Sequence, residues 1–261
     1  MREDLSNGVA IVTGAGRGIG RAIAVALSKE GAAVAVCART EAEIADTASL
    51  ISDAGGRSIA IPLDVKDVAA VRAAVEQTAR HLGPVTLLVN NAGTPGPAGL
   101  DWEVDAETWF ECIDVIVRGA FNLCQAVVPG MIARKSGRIV NIASTTGTRV
   151  FLPITATSVA KTALIRFSEG LAVQLSPYGV CVFAVHPGVV RTRLLESYRL
   201  ALPDEWYVGP DRAGSLCTRL ASGRYDALSG RFFTIDDDLD ELLKRTGEIT
   251  ARELYTLRIQ G

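Results

Sequence analysis

The chain has 261 residues, 48% of them hydrophobic and 21% charged, with a formal net charge of −2 at pH 7. That length supports a sizeable α/β core, and the near-neutral balance argues against nucleic acid or an anionic membrane as partner. Five cysteines (Cys37, Cys112, Cys124, Cys181, Cys217) are scattered and without CxxC spacing, so they read as free, mostly buried thiols in a reducing compartment, with no metal site.

The N-terminus runs almost directly into an apolar strand, leaving no room for a signal peptide. No apolar run is expected to reach membrane-spanning length, so the expectation is a soluble cytoplasmic protein. The first strand is the apolar run from Val9 to Thr13. Gly14, Gly16, Gly18 and Gly20 follow it, and Ile19, Ile23, Ala26 and Leu27 then recur at helical spacing. Strand, glycine turn and helix form the geometry in which a pyrophosphate meets backbone N–H groups at a helix N-terminus. A glycine loop that merely closes a βα turn shares the pattern, but its place between strand and helix favours the nucleotide reading.

Further along, Ala32–Ala38 reads as a second strand and Glu41–Ala54 as a helix ending at Gly55-Gly56. Ser58–Leu63 is a third strand, a helix runs from about Asp67 to Leu82, and Val85–Asn90 is a fourth strand. The segment Ala106–Arg134 is expected to be one long helix, followed by a strand at Arg138–Ala143, a helix at Ala156–Leu175 and a strand at Gly179–Val185. Arg231–Ile235 closes the series, with short helices near Asp238–Arg245 and Thr250–Leu257. Strict alternation implies an α/β fold, a doubly wound parallel sheet with helices on both faces. With no repeat or linker, residues 1–261 are expected to form a single domain. The acidic run Asp236-Asp237-Asp238 with Asp240 reads as helix-opening acids, and Trp102, Trp109 and Phe110 as core and interface anchors.

At Asn90-Asn91-Ala92-Gly93 the chain resembles the short-chain dehydrogenase/reductases, and the likeness extends from about Val9 to Ile235. The resemblance implies a Rossmann fold and a dinucleotide site built from Gly14, Arg17, Gly18, Ile19 and Gly20. It also implies an adenine contact at Asp64 and Val65, and packing of Asn91, Ala92 and Gly93 against the adenosine ribose and nicotinamide side. The run His186-Pro187-Gly188-Val189-Val190-Arg191-Thr192 matches the loop that covers the nicotinamide, with its carboxamide expected near the Val190 backbone and the Thr192 hydroxyl. An acid at the end of the second strand suits a free ribose 2′-hydroxyl. This chain has Ala38 there, then Arg39, with Arg17 in the glycine turn, and two cations suit the 2′-phosphate of NADP.

The catalytic positions depart from the family. Ser144 matches the family's serine, expected to bind a substrate carbonyl. Lys161 matches the lysine, expected to bind the nicotinamide ribose and lower the pKa of a neighbouring phenol. The tyrosine position, thirteen residues after Ser144, holds Thr157, and the asparagine position in the long helix holds Ile116. A threonine alcohol is a far weaker acid than a phenol and stops short of its reach, and water is expected in the vacated space. Three readings stay open: an NADP(H)-dependent reductase with an atypical proton donor, a cofactor-binding protein with little turnover, and non-redox chemistry in the same pocket. The loop at 193–210, with Leu194, Leu195, Tyr198, Leu200, Leu202, Trp206 and Tyr207, is a candidate lid for a bulky apolar or aromatic substrate, or else a helix pair packed on the core. Residues 236–261 form a charged tail. Apolar residues on more than one face of the two long helices point to a homodimer or homotetramer.

Overall fold

Alternate residues of a strand face opposite sides of its sheet, and here both sides are apolar. In the computed structural model, which describes residues 4–259, the first strand β1 is Val9–Thr13 and the first helix α1 is Gly18–Lys29. They are followed by β2 (Ala33–Ala38), α2 (Glu41–Asp53), β3 (Ser58–Pro62), α3 (Val68–His81), β4 (Leu87–Asn90), α4 (Ala106–Ile113), α5 (Gly119–Arg134) and β5 (Gly137–Ile142). After these come α6 (Thr155–Leu175), β6 (Val180–His186), α7 (Arg193–Ser197), α8 (Asp211–Ala221), β7 (Phe232–Thr234), α9 (Leu239–Lys244) and α10 (Thr246–Ala251). All seven strands form one parallel sheet in the order β3-β2-β1-β4-β5-β6-β7.

The alternation divides the core in two. Ala10, Val12, Val34, Val36, Phe183 and Val185 join the helices of one face, where Ile23 and Leu27 of α1 lie. Ile11, Ala35, Cys37 and Val182 join the other, with Leu123 and Met131 of α5. Strand order reverses between β1 and β4, so their C-terminal ends open a crevice, the place where ligands bind in such sheets.

Some expectations need correction. The segment 106–134 is not one regular helix: α4 and α5 are joined by a π-helical turn, Asp114–Arg118. Five residues at the wider π pitch keep the apolar pattern of an α-helix, so the sequence does not reveal them. By length and composition this segment is also apolar enough to cross a membrane, contrary to expectation, and half of its most apolar window is buried inside the protein. The last helix is Thr246–Ala251 rather than Thr250–Leu257. Glu253 and Tyr255 adopt positive φ, which ends the helix, and Phe232 N–H then donates to Tyr255 O. Trp102 and Phe110 are exposed and do not anchor the core. The acids at 236–240 diverge: Asp236 pairs with Arg212, Asp237 accepts from Thr234, Asp238 caps α9 and Asp240 binds Tyr225 and Arg219. All five cysteines are free, and four of them are buried.

Candidate active site

The end of β1 is stitched to the end of β4 by side chains. Thr13 Oγ1 accepts from the N–H groups of Asn91 and Ala92, both at 3.0 Å, and Asn91 Nδ2 donates to Thr13 O at 2.9 Å and Gly14 O at 3.2 Å. This fixes the glycine turn against the crevice. Gly14 sits at φ +63, and a Cβ on Gly20 would lie 2.3 Å from Gly14 O, so neither position admits a side chain without distortion. The glycine turn therefore packs tightly against the end of β4 and sets the N-terminus of α1 at the crevice, where backbone N–H groups can meet a pyrophosphate.

A cleft of about 880 Å³ runs from this turn to the ends of β5 and β6. It brings together Gly14, Arg17, Gly18, Ile19, Gly20, Arg39, Asp64, Val65, Asn91, Ala92, Gly93, Pro187, Gly188, Val190 and Thr192 with Ser144, Thr157, Lys161 and Ile116. At the distal end Arg39 is exposed. Arg17 pairs with Glu43 at 3.0 Å, and Arg193, from the loop after β6, reaches the same carboxylate at 2.5 Å. Burial raises the Glu43 pKa, but hydrogen bonds and charge from the two guanidiniums outweigh it and hold the carboxyl below its ordinary value. Sequence reasoning missed this acid because it lies in the first turn of α2 rather than at a strand end. Asp64 accepts from Lys66 N–H at 2.9 Å, while Asp67 caps α3, so Asp64 is not a helix cap. Thr192 accepts from Leu195 N–H at 3.2 Å and caps α7.

At the proximal end β5 delivers Ser144, whose Oγ accepts from Thr146 N–H at 3.2 Å. Lys161, on α6, donates to Ile142 O at 2.5 Å, and burial pushes its ammonium down to about 8. Thr157 lies one helical turn earlier on the same face. Ile116 falls in the π-helical turn and packs in an apolar cluster with Cys112, Ala156 and Ala160, so it offers no polar group. Beside Thr157 the Tyr198 hydroxyl lies 2.5 Å from Thr157 Oγ1, with Cys112 Sγ at 3.7 Å, so protein groups fill part of the space that the smaller side chain leaves.

The loop at 193–210 is not a helix pair. It holds the five-residue α7 and a short 3-10 turn at Asp204–Trp206. Leu194, Leu195, Tyr198, Leu200, Leu202 and Trp206 line the cleft, whereas Tyr207 turns away beneath Arg191, 3.9 Å from its ring centroid. His186 also lines the cleft. Its Nδ1 is buried without a partner among the described residues, and burial pushes the imidazole down to about 4. Sequence reasoning placed Tyr198 in the lid and missed its approach to Thr157, since 41 residues of strand and loop separate the two.

Fold and cleft together define a dinucleotide-binding α/β protein. The family model described as short chain dehydrogenase matches residues 8–202. The chain belongs to that family of oxidoreductases. It is 38% identical over 220 residues to a Streptomyces coelicolor protein assigned as a ketoacyl reductase, covering 83% of this chain and 84% of that one. Among solved structures it resembles a variant of actinorhodin polyketide ketoreductase with NADPH, with a TM-score of 0.82 and 31% identity, covering 90% of this chain and 96% of that one. It also resembles a gluconate 5-dehydrogenase from Burkholderia cenocepacia in complex with NADP and tartrate, with a TM-score of 0.83 and 29% identity, covering 92% of this chain and 98% of that one.

Proposed function

We propose that the protein is an NADP(H)-dependent reductase acting on a carbonyl or imine of a bulky, apolar small molecule, with an atypical proton donor. The observation that carries this reading is that the glycine turn, Ser144, Lys161 and an apolar loop wall line one cleft. Exposed Arg39 beside Ala38, and the NADPH and NADP bound by two similar structures, support the 2′-phosphorylated cofactor. When bound, the dinucleotide supplies the hydride. The N–H groups of the glycine turn hold its pyrophosphate, with Arg17 and Arg39 at the 2′-phosphate, Asp64 and Val65 at the adenine, and Asn91, Ala92 and Gly93 along the ribose side. Lys161 binds the nicotinamide ribose, while Pro187, Gly188, Val190 and Thr192 shape the carboxamide end. The Ser144 hydroxyl orients the substrate carbonyl. Leu194, Leu195, Leu200, Leu202 and Trp206 make the apolar wall that selects the substrate.

On this reading residues 1–261 act as one dinucleotide-binding domain, with 193–210 as lid and 236–261 as C-terminal tail. The protein works in the cytoplasm as a homodimer or homotetramer, without nucleic acid, membrane or metal. Calorimetry with NADPH and NADH, on the wild type and Arg39→Asp, tests the cofactor choice, and NADPH consumption on a panel of apolar carbonyls tests the chemistry. Equal affinity for the two cofactors, unchanged by the substitution, would overturn the first point. The second reading, a cofactor-binding protein with little turnover, draws on Ile116, whose apolar contacts leave no group for a water relay. NADPH binding without turnover selects it. Substrate conversion without NADPH consumption selects non-redox chemistry instead.

A further inference from the structure

Tyr198 belongs to the lid loop by sequence, yet it is only 7% exposed. Its hydroxyl oxygen accepts the Gly96 N–H at 3.2 Å and lies 2.5 Å from Thr157 Oγ1. With the Gly96 N–H on the phenol oxygen, the phenol proton can be directed at Thr157 Oγ1, and the Thr157 hydroxyl proton then turns either to Cys112 Sγ at 3.7 Å or into the cleft. The nearby thiol does not compete as donor, because Cys112 Sγ donates to Thr94 O at 3.5 Å. Ile116, on the other side, is buried and apolar and carries no proton. Thr157 thus stands between the cleft and a buried phenol.

We infer that Thr157 and Tyr198 together replace the missing proton donor, Thr157 as the hydroxyl that meets the substrate oxygen and Tyr198 as the proton source behind it. The inference rests on the reductase reading. As the carbonyl carbon takes a hydride from the reduced dinucleotide, the C=O π pair moves onto oxygen. That oxygen bonds the Thr157 proton, and the Thr157 oxygen takes the Tyr198 proton as the phenol O–H breaks. The resulting phenolate, held by the Gly96 N–H, recovers a proton from water when the lid loop opens. A threonine alone is too weak an acid for the task, and a phenol behind it restores an acid of ordinary pKa near 10. Burial pushes the Tyr198 pKa upward, while the Thr157 hydroxyl, which donates to the phenolate once the proton has moved, opposes that rise.

The test uses the full chain with Tyr198→Phe and Thr157→Val, which remove only hydroxyls, and their combination. NADPH affinity by calorimetry should stay within about twofold in all variants, while kcat on an accepted ketone should fall by about 10²-fold in each single variant. The double variant should fall no further than either single one, because the residues act as a unit. Independently of turnover, the difference in ultraviolet absorbance between wild type and Tyr198→Phe reports the phenol's titration. Thr157→Val should move that titration upward, and bound NADP⁺, through the positive charge of its nicotinamide ring, should move it downward. Turnover that survives Tyr198→Phe, or a phenol titration that neither change moves, overturns this inference alone. Failure to bind NADPH, or binding without turnover of any carbonyl, overturns the reductase reading and this inference with it.

Discussion

At the scale of single residues, position 157 shows why a family motif must be read with its surroundings. The sequence predicts that Thr157→Tyr raises ketone reduction by restoring a phenol. In the structure the Tyr198 hydroxyl already lies 2.5 Å from Thr157 Oγ1, so a ring at 157 collides with it. Thr157→Tyr alone should therefore destabilise the fold by about 1–3 kcal/mol, seen as a lower denaturant midpoint. Tyr198→Ala in the same chain should recover that loss and turn over faster than Thr157→Tyr alone; equal stability of the two would refute the collision. His186 yields a second prediction. Burial holds its imidazole at about 4 against an ordinary 6.5. Between those values the unfolded chain binds a proton that the folded chain does not, so stability must fall as pH drops through the window. In denaturant melts of the protein without cofactor, His186→Asn should flatten that acid decline; an unchanged slope would refute it. Most of the cleft-lining positions were legible in the sequence because each sits at a fixed offset from a strand end. Glu43 was not, and Tyr198, read as a lid residue, was not legible as the neighbour of Thr157, since each contact comes from packing between segments distant in the chain.

At the scale of elements, a buried polar chain ties β4, β5 and α6 together. Asn90 Nδ2 donates to Asn141 Oδ1 at 2.8 Å, Asn141 Nδ2 donates to Ser168 Oγ at 2.7 Å, and Ser168 Oγ donates to Leu164 O at 2.7 Å. These bonds cross from β4 to β5 to α6, the elements that deliver Asn91, Ser144 and Lys161. Asn141→Ala removes the Asn90 amide's short bond and the amide that donates to Ser168 Oγ, leaving Asn90 Nδ2 only Cys124 Sγ at 3.6 Å, which should lower stability by about 1–3 kcal/mol. It should also weaken NADPH binding by calorimetry, because the strand and the helix are no longer registered; a loss of stability with unchanged affinity would make the chain a core feature only. Strand and helix order was readable from the sequence because short apolar runs alternate with longer segments whose apolar residues recur at helical spacing. Exact ends were less so: Asp67 and Asp238 announced helix starts by capping chemistry, whereas the end of α10 depends on a tertiary hydrogen bond to β7.

At the scale of the whole molecule, much of the apolar surface that suggested self-association is used within the chain. Val115, Ile116, Val127 and Leu164 are buried in its own core, yet Phe121 of α5 remains 49% exposed and Val173 of α6 76% exposed. Phe121 packs beside Phe167 with ring centroids 6.2 Å apart, which places α5 and α6 side by side. Both helices carry large apolar groups left exposed among the described residues, and Trp102 and Phe110 extend apolar exposure to the neighbourhood of α4. Such patches on a protein surface mark contact sites, and a helix apolar beyond its core stripe needs a second partner. A second copy of the chain using the same face would meet that need through an isologous contact, with Phe121 against its symmetry mate's helices. Light scattering at micromolar concentration should then give a multiple of 27.6 kDa. Phe121→Glu places a charge in the contact and should shift the mass toward the monomer while leaving the unfolding midpoint of the isolated monomer unchanged, since Phe121 is half exposed there. A wild-type mass already equal to one chain would refute the contact, and an oligomer indifferent to Phe121→Glu would move it off the α5–α6 face.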